Sequence, residues 1–231
     1  VVPGTAALWG DEVVRVDAID VAAGTVLLAR GCLDTVPQPH AAGQRIWFYD
    51  ADLAVDPAER PSGASVEMRA LTRAASDQLP LASAPTSTVA IVGRAALPYP
   101  MGRLRINGDF MPEAATGAMT VTWVSRDRVA QADALVDHEA GGITPAADTR
   151  WGRRVRAGNT PLREPAGTAT IGLGCNGDMV SEAWAINDAG PSWQRHVWPL
   201  AYTADAATGN TIAAPTWTPV QTIIDGGEVA P

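Results

Sequence analysis

Three histidines, two cysteines and 25 acidic residues are the groups in this chain that could do chemistry. Cys32 and His40 lie close enough in sequence to raise a thiol–imidazole pair. Nucleophilic catalysis needs a nucleophile, a base and a third group that orients the base. A pair joined by one loop is ordinarily accidental, so no catalytic residue is expected there. The remaining histidines, His138 and His196, stand in no recognisable motif. The chain has no G-x-S-x-G, H-E-x-x-H, P-loop or G-x-G-x-x-G pattern, and Gly172-Leu-Gly174 does not lead into a helix. Without a C-x-x-C or Cys/His cluster no zinc site is expected, and Cys32 and Cys175 read as small buried hydrophobes. Asp50, Asp52, Asp56, Glu59, Asp133, Asp137 and Glu139 fall on expected loops, where solvated charge is the ordinary state. No pair stands out for sugar hydrolysis, and the Asp50/Asp52/Asp56 spacing is not that of an EF-hand loop. Glu182, beside Trp184 in an apolar run, is expected to face outward from a strand. No cofactor and no metal are expected.

Eight tryptophans and an all-arginine basic complement point instead to contacts between surfaces. Trp47, Trp123 and Trp184 lie in apolar runs and are expected in the core. Trp151, Trp193, Trp198 and Trp217 lie near loops or prolines and are expected to be exposed. Trp and Arg dominate protein–protein hot spots. The interface candidates are therefore Arg150, Trp151, Arg153, Arg154, Arg156, Trp193, Trp198 and Trp217. The absence of lysine has a plainer explanation in GC-rich coding, which also fits the abundant Ala, Gly, Pro and Val. A net charge of −8 argues against a nucleic-acid surface.

The elements that must position these residues are strands. Glu12–Val16, Thr25–Ala29 and Arg45–Tyr49 read as a meander, with a turn at Ala22–Gly24 and a long loop at Asp34–Gly43. Ser65–Arg73 reads as a strand, and Ala74–Thr88, rich in Ala, Ser and Pro, as a linker. Pro98–Gly108 and Ala118–Arg128 read as two strands about a turn. In the second, Met119, Val121 and Trp123 share a face, and Arg126-Asp127-Arg128 forms a brace at its end. Val129–Asp148 reads as an exposed loop, with a turn or two of helix as the alternative over Val129–Glu139. Arg150–Arg156, Thr168–Leu173 and Asp178–Ile186 are further strands, Asn159–Gly167 a turn, and Val220–Ile224 a strand-like patch in the tail. Strands at this spacing indicate an all-β sandwich. The expected division is a small all-β domain over 1–84, a β-sandwich over 85–202, and a C-terminal extension or the start of a further domain over 203–231. No apolar run reaches the ~18 residues of a membrane span. Val1-Val-Pro-Gly lacks a signal peptide's features and reads as an internal cut.

Two stretches carry a resemblance. Glu12-Val-Val-Arg-Val16, Thr25-Val-Leu-Leu-Ala-Arg-Gly31, Asp34-Thr35 and His40-Ala-Ala-Gly43 are similar to a pattern in the tail-tip and baseplate hub proteins of long-tailed bacteriophages and gene transfer agents. Pro98-Tyr-Pro, Arg103–Gly108, Val121-Thr-Trp123 and Arg126-Asp-Arg128 resemble the fibronectin type III-like domain that follows in those proteins. Cys32-Leu-Asp34 departs from the pattern, where Gly is usual before the Thr. The resemblance covers roughly 10–130. It implies a small β-barrel or meander domain followed by a fibronectin type III-like β-sandwich, with no catalytic residue to carry over. Gly31 is read as a sharp strand exit and His40 as a structural hydrogen-bonding group.

The function implied is structural: a tail-tip or baseplate component that packs on neighbouring tail subunits during virion assembly and host attachment. It would be assembled in the host cytoplasm and reside in the virion tail. Its expected partners are other phage tail proteins, copies of itself in a ring with a trimer as the candidate symmetry, and the host cell surface. The alternatives are a module binding host-surface glycan or protein, on the strength of the late tryptophans, and a cell-wall hydrolase, on the acid count alone.

Overall fold

The computed structural model describes residues 1–49, 56–132, 134–146, 148–157, 160–163, 170–171, 173 and 176–204, with backbone alone at 160–163 and 170–171. The protein is all-β, its strands joined by turns and short 3-10 segments. Two compact units form: Val1–Leu53 together with Leu97–Pro231, and Ala54–Ala96.

The first unit opens with a four-stranded antiparallel sheet. It comprises β1 (Ala6–Trp9), β2 (Glu12–Asp20), β3 (Thr25–Ala29) and β4 (Ile46–Tyr49), in the order β3-β2-β1-β4. Three of these match the expected meander. β1 was hidden because Ala-Ala-Leu-Trp is short and half of it is alanine, so it shows no alternation. In β2 the inward positions are Glu12, Val14 and Val16, all fully buried. A carboxylate therefore occupies a core position in an otherwise apolar row.

The second unit holds β5 (Ser65–Arg69) and β6 (Thr86–Ala90), paired antiparallel from Ser65↔Ala90 to Arg69↔Thr86. The stretch expected as a linker, Ala74–Thr88, supplies part of β6 and a 3-10 turn at Leu81–Ser83. Its small residues suit a thin hairpin with little core, where Ala84 is the buried apolar residue among those described.

The remainder of the first unit is a sandwich of two sheets. The strands are β7 (Gly102–Ile106), β8 (Ala114–Thr116), β9 (Met119–Val124), β10 (Arg150–Ala157), β11 (Thr160–Arg163), β12 (Thr170–Ile171), β13 (Gly177–Asn187), β14 (Gly190–Pro191) and β15 (His196–Thr203). One sheet runs β12-β9-β7. The other runs β11-β10-β13-β15-β8, with β14 beside β13, and β8 joins β15 in parallel. Leu104, Ile106, Met119 and Val121 from the first sheet meet Val155, Met179, Trp198, Leu200 and Tyr202 from the second in one core. Asn107 and Gly108 both take positive φ (52° and 91°), the geometry of a two-residue hairpin turn. They lead the chain out of β7, and Asn107 Oδ1 accepts from the Thr120 amide (2.7 Å).

β15 was not anticipated, and Trp198, expected to be exposed, is 3% exposed. The strand alternates without a break: His196, Trp198, Leu200 and Tyr202 inward, Val197, Pro199, Ala201 and Thr203 outward. Pro199 masks it in the sequence because proline cannot donate to a ladder. Here β8 pairs only with Ala201–Thr203, so an amide at 199 has no strand opposite on that side.

Candidate functional site

The motif residues of the first sheet converge on Glu12. Its carboxylate accepts from Arg30 Nε (2.7 Å) and Nη2 (2.8 Å), the Gly31 amide (2.8 Å), the Gln38 amide (3.0 Å) and His40 Nε2 (2.8 Å). Burial pushes this carboxyl up, but the bonds from Arg30, His40, Gln38 and Gly31 outweigh it and hold its pKa below the ordinary value. His40 stacks on Trp9 (centroids 3.8 Å, 10° between planes), and its Nδ1 meets Gln44 Oε1 at 3.1 Å. Both ring nitrogens and both carboxylate oxygens are thus committed. Gly31 takes φ +54°, and a Cβ there would sit 2.5 Å from Pro37 Cδ, so the sharp strand exit requires glycine.

The Arg126-Asp127-Arg128 brace reaches further than the sheet end. Arg126, 4% exposed, donates to the carbonyls of Gly31 (3.0 Å) and Val136 (3.4 Å) and lies over the Tyr99 ring. Arg128 donates to the Leu97 carbonyl (2.6 Å) and to Asp34 Oδ2 (3.2 Å), also over Tyr99. Asp127 instead accepts from the amides of Val129 and Ala130, both at 2.8 Å. The two arginines therefore tie the Gly31–Asp34 loop to the sandwich. Gln194 adds a second tie, accepting from the Val36 amide and donating to the Asp11 carbonyl.

Behind Arg126 lie two buried histidines with ring centroids 5.5 Å apart. His196 Nε2 donates to the Met101 carbonyl (2.8 Å). His138 Nδ1 donates to Glu139 (3.0 Å), and its Nε2 is buried without a hydrogen-bond partner among the described residues. Burial, reinforced for His138 by the neighbouring imidazole and for both by Arg126, holds the rings neutral. Their pKa values fall to about 3 for His138 and about 4 for His196. The His138 backbone bonds on both sides, its amide to the Arg30 carbonyl and its carbonyl to the Arg103 amide. Arg103 takes φ +43° at the register shift in β7 to make that contact. Sequence patterns missed both histidines because their role lies in contacts between segments far apart in the chain.

The arginine strand, β10, presents two different faces. Arg154 and Arg156 grip Glu182 from above (2.6 and 3.0 Å), and Glu182, expected to face out, is only 5% exposed. It does occupy the outer face of β13, but the arginines roof it over. Burial raises its carboxyl, and Arg154 and Arg156 together bring it below the ordinary range. Trp184 lies directly over Gly152, with Arg154 and Arg195 guanidinium groups against its ring. On the inner face, Trp151 packs on the core and meets Trp123 at 6.2 Å, while Arg153 lies over Trp123 and is 6% exposed.

The remaining interface candidates divide clearly. Arg150 is exposed and pairs with Asp188 (2.9 Å), and Trp193 is 45% exposed. Trp198 is core. Trp217 lies outside the described residues, as do Cys175, Asp50, Asp52, Asp133 and the Val220–Ile224 patch.

Burial pushes the Cys32 thiol up to about 12, so it is no nucleophile near neutral pH. Asp56 pairs with Arg60, Asp137 accepts from the Arg30 and Glu139 amides, and Glu139 pairs with Arg105. No group of three or more His, Cys, Asp or Glu is placed to hold a metal ion among the described residues. No described helix is long and apolar enough to cross a membrane. A search of protein-family models finds no match, and no curated protein sequence matches the chain.

Proposed function

We propose that this chain is a structural component of a phage tail tip or baseplate, residing in the virion tail and packing on neighbouring tail subunits during assembly and host attachment. The observation that carries the reading is the convergence of Glu12, Arg30, Gly31 and His40 on one buried polar knot. These are the residues on which the resemblance to hub proteins rests, and they act together as a fold determinant. The sandwich strand orders, β12-β9-β7 against β11-β10-β13-β15-β8, favour a fibronectin type III-like domain after the small sheet. Arg150 and Trp193 are the exposed candidates for subunit packing. The test is biochemical: antibody to the chain, applied to purified particles, should label the tail end at fixed stoichiometry. Particles lacking the chain would remove the reading.

A second reading, host-surface glycan binding, has one observation in its favour. Trp47 and Trp193 are 56% and 45% exposed. Arg45 already lies over the Trp47 ring, and Trp198, counted for this role in the sequence, is buried. A glycan array probed with the whole chain and giving no signal would dismiss it.

A further inference from the structure

We propose that Arg153, with Trp123 and Trp151, forms a receiving site for a carboxylate brought from outside the described fold. The reasoning begins with an unmet requirement. Arg153 is 6% exposed, and neither Nη1 nor Nη2 has a hydrogen-bond partner among the described residues. Its position is set by β10, where Trp151, Arg153 and Val155 alternate inward and Arg154 and Arg156 turn outward. The side chain reaches across to the other sheet, where its Cζ sits 5.4 Å from the Trp123 ring centroid. The ring face attracts the cation but cannot accept the four N–H bonds that the two terminal nitrogens offer.

Glu182 is held on the opposite face of the same sheet by Arg154 and Arg156, Asp188 by Arg150, and Glu139 by Arg105. An uncompensated buried guanidinium is a standing cost to the fold. Its planar fork matches two oxygens of one carboxylate. Trp123 and Trp151 are half-buried, so the site abuts solvent along the indoles, and that is the side from which a carboxylate approaches. The expected ligand is thus a carboxylate on a small apolar stem. Two sources share that chemistry, a free small acid and the acidic side chain of a partner polypeptide. The site stands independently of the tail-particle reading.

The test uses the full chain at pH 7. Thermal unfolding is followed in sodium acetate, in sodium chloride of matched ionic strength, and in chloride with acetamide added. A parallel arm uses a short peptide bearing one Glu and its Gln counterpart. Acetate at ten times its dissociation constant should raise Tm by about 3–6 °C over both controls. The shift should be absent in Arg153→Met, and in chloride that variant should melt no lower than the wild-type chain, because it removes a charge without a partner. A response to acetate identifies a small-acid site, and a response to the Glu peptide alone identifies a partner's side chain. Equal melting in acetate and chloride with no peptide effect overturns the proposal. So does an acetate shift retained in Arg153→Met, or a variant that melts well below wild type or fails to fold.

Discussion

Glu12 shows how much one polar residue can decide. It sits at a fully buried position in β2, and five donors converge on it. Replacing it with Gln removes the charge facing Arg30 and strands donors in the interior. Glu12→Gln is expected to cost about 3–5 kcal/mol, read as a lower midpoint in chemical denaturation. His138 and His196 carry a pH dependence. Their folded pKa values, about 3 and about 4, lie below the ordinary 6.5. The folded state therefore binds fewer protons than the unfolded state, and stability is complete above about pH 6.5. It is lost as pH falls from there toward the folded values, at up to about 1.4 kcal/mol per pH unit for each histidine. Glu12 adds to the loss at lower pH, since its depressed pKa gives stability that disappears as pH falls through the folded value. Denaturation followed from pH 8 to pH 4 should show the decline beginning near 6.5, and His138→Phe should roughly halve its initial slope.

Among the elements, the strand exits and register shifts set where side chains land. Gly31 ends β3 at a positive φ against Pro37 and delivers its own amide to Glu12. Gly31→Ala introduces both an unfavourable φ and a Cβ 2.5 Å from Pro37 Cδ. We expect it to lower stability by about 2–4 kcal/mol, seen as a Tm shift, with weakened exchange protection at Cys32 and Thr35. The sequence made this glycine legible, since Arg-Gly at the end of an apolar run marks a strand exit. The expected strands at 12–16, 25–29, 150–156 and 178–186 all lie within observed ones because alternation or β-branched runs announce them, while the one expected over 118–128 contains the shorter Met119–Val124. β1 and β15 were illegible for opposite reasons: one is too short and alanine-rich to alternate, the other alternates fully but carries a proline. Glu182 was read as an outward strand residue; it does stand on the outer face of β13, yet Arg154 and Arg156 leave it only 5% exposed. Register alone brings Arg154 directly opposite it, and Arg156 one face-step away.

For the molecule as a whole, the small sheet and the sandwich behave as one unit because buried polar side chains join them. Arg126 reaches the Gly31 carbonyl, Arg128 reaches Asp34, and Gln194 reaches both Val36 and Asp11. Arg126→Met should loosen that joint. Native-state hydrogen exchange is expected to show β1–β4 amides opening together with the sandwich in the wild-type chain, and ahead of it in the variant. Identical protection in both would show that the tie is not energetically important.

What the sequence determined by itself is the class of object: an all-β chain whose apolar residues alternate in short runs between Gly- and Pro-bearing turns. That period is local, and local sterics impose it. Tertiary structure decided which polar residues are buried and what they hold. Glu12, Arg126, His138, Arg153 and Glu182 look alike in sequence to solvated residues, because a side chain's partners depend on segments that meet only in the fold. The cost of burying charge makes each of those meetings specific, and Arg153, whose terminal nitrogens find no acceptor among the described residues, is where that cost points outward.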